Sequence, residues 1–386
     1  MMDATFTSSD TTDIRLVYDK IPVRNVWFLF LYAHDLVKFR GKFDAEIEAS
    51  PDFKSLIARL LCYTVENRLR HNLSFGYRHR EDTLRRVRGR IDMLQTETRA
   101  LLSRGEIACR FEELTIDTPR NRLVRAALSV VGGVLDNDRL RHRTKMLAGA
   151  LGRSGVSAVN PSRADMATDQ IGRHEAEDRL MVSLARAVFD LVLPTEETGT
   201  RSVLDADRAE TEFRKLFESA IGNFFNAELS REDGWRVYPG KKFKWPIDAA
   251  SSGIQHFLPS MVTDIILENE REDRRIIIDT KFTNVFTRSQ HGGALRFKTA
   301  HIYQLYAYLR SQERHDEPRS LFSEGLLLYP AIDANIDESA EIQGHHIRFA
   351  TIDLMLPALE LSQRLRAIPM ESRLSRPISP SVSHRG

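Results

Sequence analysis

Cysteine is nearly absent: the 386 residues include two, Cys62 and Cys109, far apart and outside any C-x-x-C spacing. That argues against a disulfide framework and leads to the expectation of a reduced, cytoplasmic protein. Long apolar runs are missing too. "VWFLFLYA", the longest near the N-terminus, falls far short of the roughly 20 residues that span a bilayer, so no membrane insertion is expected. The opening "MMDATFTSSDTTD" has no basic segment followed by an apolar one, so a secretory signal is not expected. Its polarity reads as a disordered tail over residues 1–20. There is no G-x-x-x-x-G-K-[ST] phosphate loop and no G-x-S-x-G nucleophile motif. "RHEAEDR" places Asp178 where an H-E-x-x-H zinc site needs its second histidine. Charge of one sign is not in excess either, because 56 Lys and Arg against 54 Asp and Glu leave a net +2. Overall charge therefore says little about partners, and no repeat of 20–50 residues is found.

What is present is an ordinary globular composition, 42% hydrophobic and 28% charged, on a chain long enough for two domains. "IPVRNVWFLFLYAHDL" reads as a buried helix opened by Pro22. "FKSLIARLLCYTVENRLRH" carries Leu56, Ile57, Leu60, Leu61 and Val65 at helical spacing. Next, "YRHREDTLRRVRGRIDM" crowds Arg78, Arg80, Arg85, Arg86, Arg88 and Arg90 around Gly89 in short strands and turns. A solvated basic face explains these arginines, as does a contact surface for phosphates or an acidic protein. A strand and two helices follow, up to Pro194. The polar stretch "PTEETGTRSVLDADRAE" then marks a domain boundary.

Beyond the boundary the order is helix, strand, strand, strand, helix, strand, and the Ser-, Pro- and Arg-rich end, residues 367–386, reads as a disordered tail. The pair His345 and His346 lacks a surrounding ligand set and reads as a surface or strand feature. Two apolar strands, "MVTDIIL" and "IIIDTKF", carry Asp264, Asp279 and Lys281. Charges there are costly to bury unless paired or bound to a metal. Strand alternation puts Asp279 and Lys281 on one face, and antiparallel pairing across "ENERED" sets Asp264 beside Asp279. A hard ion such as Mg²⁺ takes one or two carboxylates and keeps several waters, which suits phosphodiester hydrolysis. Lys281 is placed to orient the attacking water or neutralise the phosphate. An ion-pair network at strand ends is the plainer alternative.

These residues resemble the PD-(D/E)xK nuclease fold, with Thr263 where the motif usually has proline. The resemblance implies a glutamate from the preceding helix, with Glu218 in "KLFESA" as candidate and Glu212 or Glu228 as alternatives. It also implies a Q-x-x-x-Y pair on the next helix, matched by Gln304 and Tyr308, which share one helix face. "RGRID", "FEELTIDTPRNRLVRAAL", "LPSMVTDIIL", "IYQLYAYL" and "GLLLYPAID" follow "IPVRNVWFLFLYAHDL" in the order seen in McrC, the nuclease subunit of the 5-methylcytosine-dependent McrBC restriction systems.

The expected fold class is thus α/β in the broad α+β sense. An N-terminal mixed α/β domain over residues 21–200 would dock on a partner, and a C-terminal PD-(D/E)xK domain over residues 205–366 would have a mixed central sheet flanked by helices. The resemblance implies an Mg²⁺-dependent endodeoxyribonuclease subunit acting in antiphage defence on double-stranded DNA carrying methylated cytosine. Its partner would be a McrB-type AAA+ GTPase hexamer, which binds the GTP and whose hydrolysis this chain would stimulate. A non-catalytic adaptor that keeps the nuclease fold is the competing class. Retention of Asp264, Asp279 and Lys281 together argues against it, because an adaptor is free to lose them.

Overall fold

The computed structural model describes residues 21–169, 171–172, 175–192, 202–229, 231, 233–288, 295–332 and 335–371, with the side chains of 202–209, 255 and 288 left aside. The tail expected over residues 1–20 lies outside them. The chain divides into two units, one from Ala45–Thr200 and one from Met1–Asp44 together with Arg201–Gly386. No described helix is long and apolar enough to cross a membrane.

In the Ala45–Thr200 unit, Asp52 caps the Phe53–His71 helix by accepting from the Ser55 N–H at 2.7 Å. The apolar stripe read from the sequence, Leu56 to Val65, is fully buried. The arginine-rich segment forms a long strand, Gly76–Leu84, antiparallel to Ile107–Thr115, whose other edge pairs with Arg90–Ile91. Gly89 turns the chain with φ +69°, and a Cβ there would stand 2.5 Å from the Arg110 carbonyl oxygen, so only glycine fits. Thr118 caps the Pro119–Val134 helix, which packs with Asp138–Arg153 and Ala176–Ala187. Asp178, buried, is held by Arg68 at 2.9 Å, Arg120 at 3.2 Å and the Ser74 hydroxyl. It is an interior ion partner, which is why an aspartate and not a histidine stands there.

The other unit shifts the expected boundaries. Helix Val23–Ala33, expected in the N-terminal domain, packs on Ser202–Glu228 instead. The reason is its aromatic stripe, completed by Phe224, whose ring centroid lies 5.0 Å from Tyr32 and 6.0 Å from Phe28. Asn25 Nδ2 donates to the carbonyls of Leu354 and Leu356, both at 2.7 Å, and ties the same helix to the C-terminal segment. The polar stretch expected as a linker is helical from Ser202 onward. Its Ala, Leu, Glu and Arg are good helix formers despite their polarity.

A mixed six-stranded sheet follows, in the order Asp337–Ile342, His345–Ile352, Glu324–Pro330, Arg274–Thr280, Met261–Asn269, Trp235–Phe243. The pairs Glu324–Pro330 with Arg274–Thr280 and with His345–Ile352 are parallel and the others antiparallel. One face buries Ile266, Ile277, Leu327, Tyr329, Ile347 and Phe349 under Leu305 and Leu309 of the Thr299–Ser311 helix. Gly325 allows that approach, since a Cβ there would meet Leu305 Cδ2 at 2.9 Å. The two strands after Ile332 extend the sheet beyond the order read from sequence. Residues 368–371, expected in the C-terminal tail, belong to the folded part instead. Ile368 and Pro369 are buried, and their carbonyls accept from Arg348 and Arg274, each at 3.0 Å. Residues 372–386 lie outside the described part.

Candidate active site

The register that sets Ile265 opposite Ile278 makes Asp264 and Asp279 the next residues in line, where the paired strands part. Asp279 also lies beside Leu327 of the parallel neighbour, so it sits between two strands and is 0% exposed. Neither of its carboxylate oxygens has a well-formed hydrogen bond. Lys281 continues the ladder through its N–H to the Leu328 carbonyl at 2.9 Å, and alternation returns its side chain to the face of Asp279. Its Nζ lies 2.8 Å from Asp279 Oδ2, close enough for an ion pair but off the angle a hydrogen bond requires. The same ammonium donates to Gln304 Oε1 at 2.9 Å, and Gln304 Nε2 donates to the Tyr308 hydroxyl at 2.8 Å. Gln304 and Tyr308, one helical turn apart, thus brace the lysine.

Burial pushes the Asp279 carboxyl up to about 7, opposed by Lys281 and reinforced by Asp264 and Glu218. Asp264 is raised as well, chiefly by burial, with the Thr280 N–H, the Thr280 hydroxyl and Lys281 pulling it back. Burial and then Asp264 raise Glu218, against Lys281 and Arg214. The Tyr308 phenol is raised by burial, against its bond from Gln304, and further by the three acids. Glu218, Asp264, Asp279, Lys281, Gln304 and Tyr308 therefore form one electrostatic cluster, gathered from two strands and two helices.

Glu212 and Glu228 are spent elsewhere. Glu212 pairs with Lys215 at 2.7 Å, while Glu228 accepts from Tyr32 at 2.5 Å and from Arg366. Among the described residues no group of three or more His, Cys, Asp or Glu side chains is close enough to hold a metal, so Glu218 stands in the field of the two aspartates without closing a three-ligand set. The residues nonetheless fit a hard divalent cation. All the donors are oxygens, Mg²⁺ is satisfied with one or two carboxylates plus water, and Asp279 buries two oxygens that lack well-formed hydrogen bonds. Lys281 compensates one negative charge, and the Asp264 carboxylate next in line adds a second that a divalent cation would balance.

Sequence reasoning missed two neighbours. Thr280 donates twice to Asp264, and Tyr329, whose phenol is raised by burial and by Asp279, takes a hydrogen bond with His301 Nδ1 at 3.0 Å. The offset between strands brings Thr280 to Asp264, and no spacing within one strand records that offset. His345 proves to be a strand residue, fully buried between the Ser323 carbonyl at 2.8 Å and Glu313 Oε1 at 2.7 Å. Cys62 and Cys109 are buried and free.

In the other unit the arginine cluster is half neutralised. Arg80 bonds Glu113 at 3.0 Å, Arg78 lies 3.7 Å from Asp117, and Arg88 lies over the Phe111 ring at 4.2 Å. Arg85 and Arg86 are exposed and make no ion pair among the described residues, and Val87, next to them in sequence, is exposed too.

A family model described as McrBC 5-methylcytosine restriction system component matches residues 18–330. The Type IV methyl-directed restriction enzyme EcoKMcrBC of Escherichia coli (strain K12) is 23% identical over 337 residues, covering 86% of this chain and 93% of that protein. Two solved assemblies from Thermococcus gammatolerans are also similar. In a tetradecameric assembly of McrB AAA+ hexamers with bound McrC, the matched chain is 12% identical with TM-score 0.45, over 85% of this chain and 71% of that one. In a cryo-EM structure of the McrBC complex the match is 15% identical with TM-score 0.35, over 55% and 60%.

Proposed function

Because the chain belongs to the family of McrBC 5-methylcytosine restriction system components, we propose that it is the subunit that cuts DNA, through a PD-(D/E)xK site. The observation that carries this reading is Asp279. It is a fully buried carboxylate without a well-formed hydrogen bond, next in line to Asp264 and against a lysine braced by Gln304 and Tyr308. Asp264 and Asp279, with Glu218 in their field, would hold Mg²⁺. The ion would lower the pKa of a water and neutralise charge on the phosphate. Lys281 donates to the oxygen that attacks or to the phosphate it approaches, and Gln304 and Tyr308 hold its ammonium in position for that. Asp279 keeps the lysine on the site's side of the strand.

The rest of the reading follows the family. A McrB-type AAA+ GTPase hexamer would bind the GTP and select methylated duplex, and the Ala45–Thr200 unit would dock on it and stimulate hydrolysis. The test is to express this chain with the AAA+ subunit encoded beside it and assay cleavage of methylated and unmethylated duplex. GTP-dependent cutting of the methylated duplex in Mg²⁺ or Mn²⁺ is expected. An assembled complex that hydrolyses GTP but never cuts would refute the nuclease assignment.

Arg85→Glu with Arg86→Glu is expected to lower stimulated GTP hydrolysis on the order of tenfold, since charge at a docking rim governs encounter and register. Mn²⁺ binding by the isolated chain should not change. Unaltered assembly, stimulation and cleavage would return these arginines to a solvated basic face.

A further inference from the structure

Thr280 lies between Asp279 and Lys281, and alternation along the strand sends its side chain away from both. It is nevertheless engaged with the site. Its N–H at 2.7 Å and its hydroxyl at 2.8 Å both donate to the same oxygen of Asp264, Oδ2. Thr280 is itself buried, and among the described residues no other hydrogen bond reaches the Asp264 carboxylate. Two donors from one rigid, β-branched residue fix the rotation of that carboxylate and leave Oδ1 pointing in one direction.

We infer that Thr280 is a positioning residue which clamps Oδ2 of Asp264 and so presents Oδ1 to the divalent ion. The inference deepens the nuclease reading and rests on it. A ligating carboxylate left loose must be ordered when the ion binds, and losing such an outer partner typically costs 10–100-fold in affinity. The backbone donor survives any substitution, so the lower end of that range applies here. Aspartate with a free rotation still ligates, so the rate at saturating metal should be nearly kept.

The experiment is Mn²⁺ titration of the full chain by calorimetry or electron paramagnetic resonance, together with the Mn²⁺ concentration that gives half-maximal cleavage by the assembled complex. Thr280→Val, which keeps the shape and loses the hydroxyl, should weaken Mn²⁺ binding about tenfold and move the half-maximal concentration by the same factor. Thr280→Ser should restore both. If the valine strains the fold, Thr280→Ala removes the same donor without added bulk, and thermal melts identify the variant to use. Asp264→Asn separates the two claims. If it weakens Mn²⁺ binding while both hydroxyl-deleted variants bind as the unmodified chain does, Thr280 is not the clamp and the metal site stands. If Asp264→Asn itself binds Mn²⁺ normally, the metal assignment falls and the inference with it.

Discussion

Asp279→Asn is expected to have two opposite effects: it abolishes cleavage by the assembled complex and raises the melting temperature of the isolated chain in EDTA. Loss of cleavage follows from removing a carboxylate that is proposed to hold the ion and that pairs with Lys281. The complex should still assemble and hydrolyse GTP, because the arginines proposed to dock on the partner belong to the other unit. The gain in stability follows from burial, which pushes the folded-state carboxyl to about 7 against 3.8 ordinarily. Between those values the folded chain keeps a proton that the unfolded chain releases. The stability this group contributes is therefore fully present below about 3.8 and is lost as pH rises through about 7. That gap, at roughly 1.4 kcal/mol per pH unit, sets a ceiling of about 4 kcal/mol on the penalty at neutral pH. The buried amide of the variant gives part of it back, leaving a gain on the order of 1–3 kcal/mol. Melts of both proteins from pH 4 to pH 8 should show the gap widening with pH. Added Mn²⁺ should raise the melting temperature of the unmodified chain alone. A variant that melts lower at pH 7.5 in EDTA, or that cuts at the normal rate, would sink the assignment.

Lys281→Arg is expected to lower single-turnover cleavage on the order of 10²–10³-fold, the usual loss when one electrostatic donor is removed from a reacting centre. The charge is retained, so the effect is one of shape. The ammonium fits a point 2.8 Å from Asp279 Oδ2 and 2.9 Å from Gln304 Oε1. A planar guanidinium reaches farther and holds a carboxylate by two parallel bonds, which pulls it off that point. Metal binding should be kept, since the lysine is no ligand. The comparison is therefore single-turnover rate against Mn²⁺ affinity in the same preparation. Cutting at the normal rate would make the lysine structural and place the chemistry elsewhere.

Local pattern along the chain was enough for the elements that neighbouring residues control. Helical spacing from Leu56 to Val65 gave a buried stripe, and two apolar runs flanking "ENERED" gave a hairpin whose register places Asp264 and Asp279 in line. Strand alternation placed Lys281 on the face of Asp279, and a spacing of four residues placed Gln304 and Tyr308 on one helix face. Each of these rests on a period of two or 3.6 residues, which a single segment records. Features that join segments far apart in the chain emerged from the folded packing. Phe224, nearly two hundred residues away, and the Leu354 and Leu356 carbonyls explain why the helix Val23–Ala33 leaves the N-terminal unit. Only the folded neighbours choose among three glutamates. Tyr32 and Arg366 occupy Glu228, Lys215 occupies Glu212, and Glu218 alone is left in the field of Asp264. The double bond from Thr280 to Asp264 likewise needs the offset of two strands, and an offset between strands is written in neither of them.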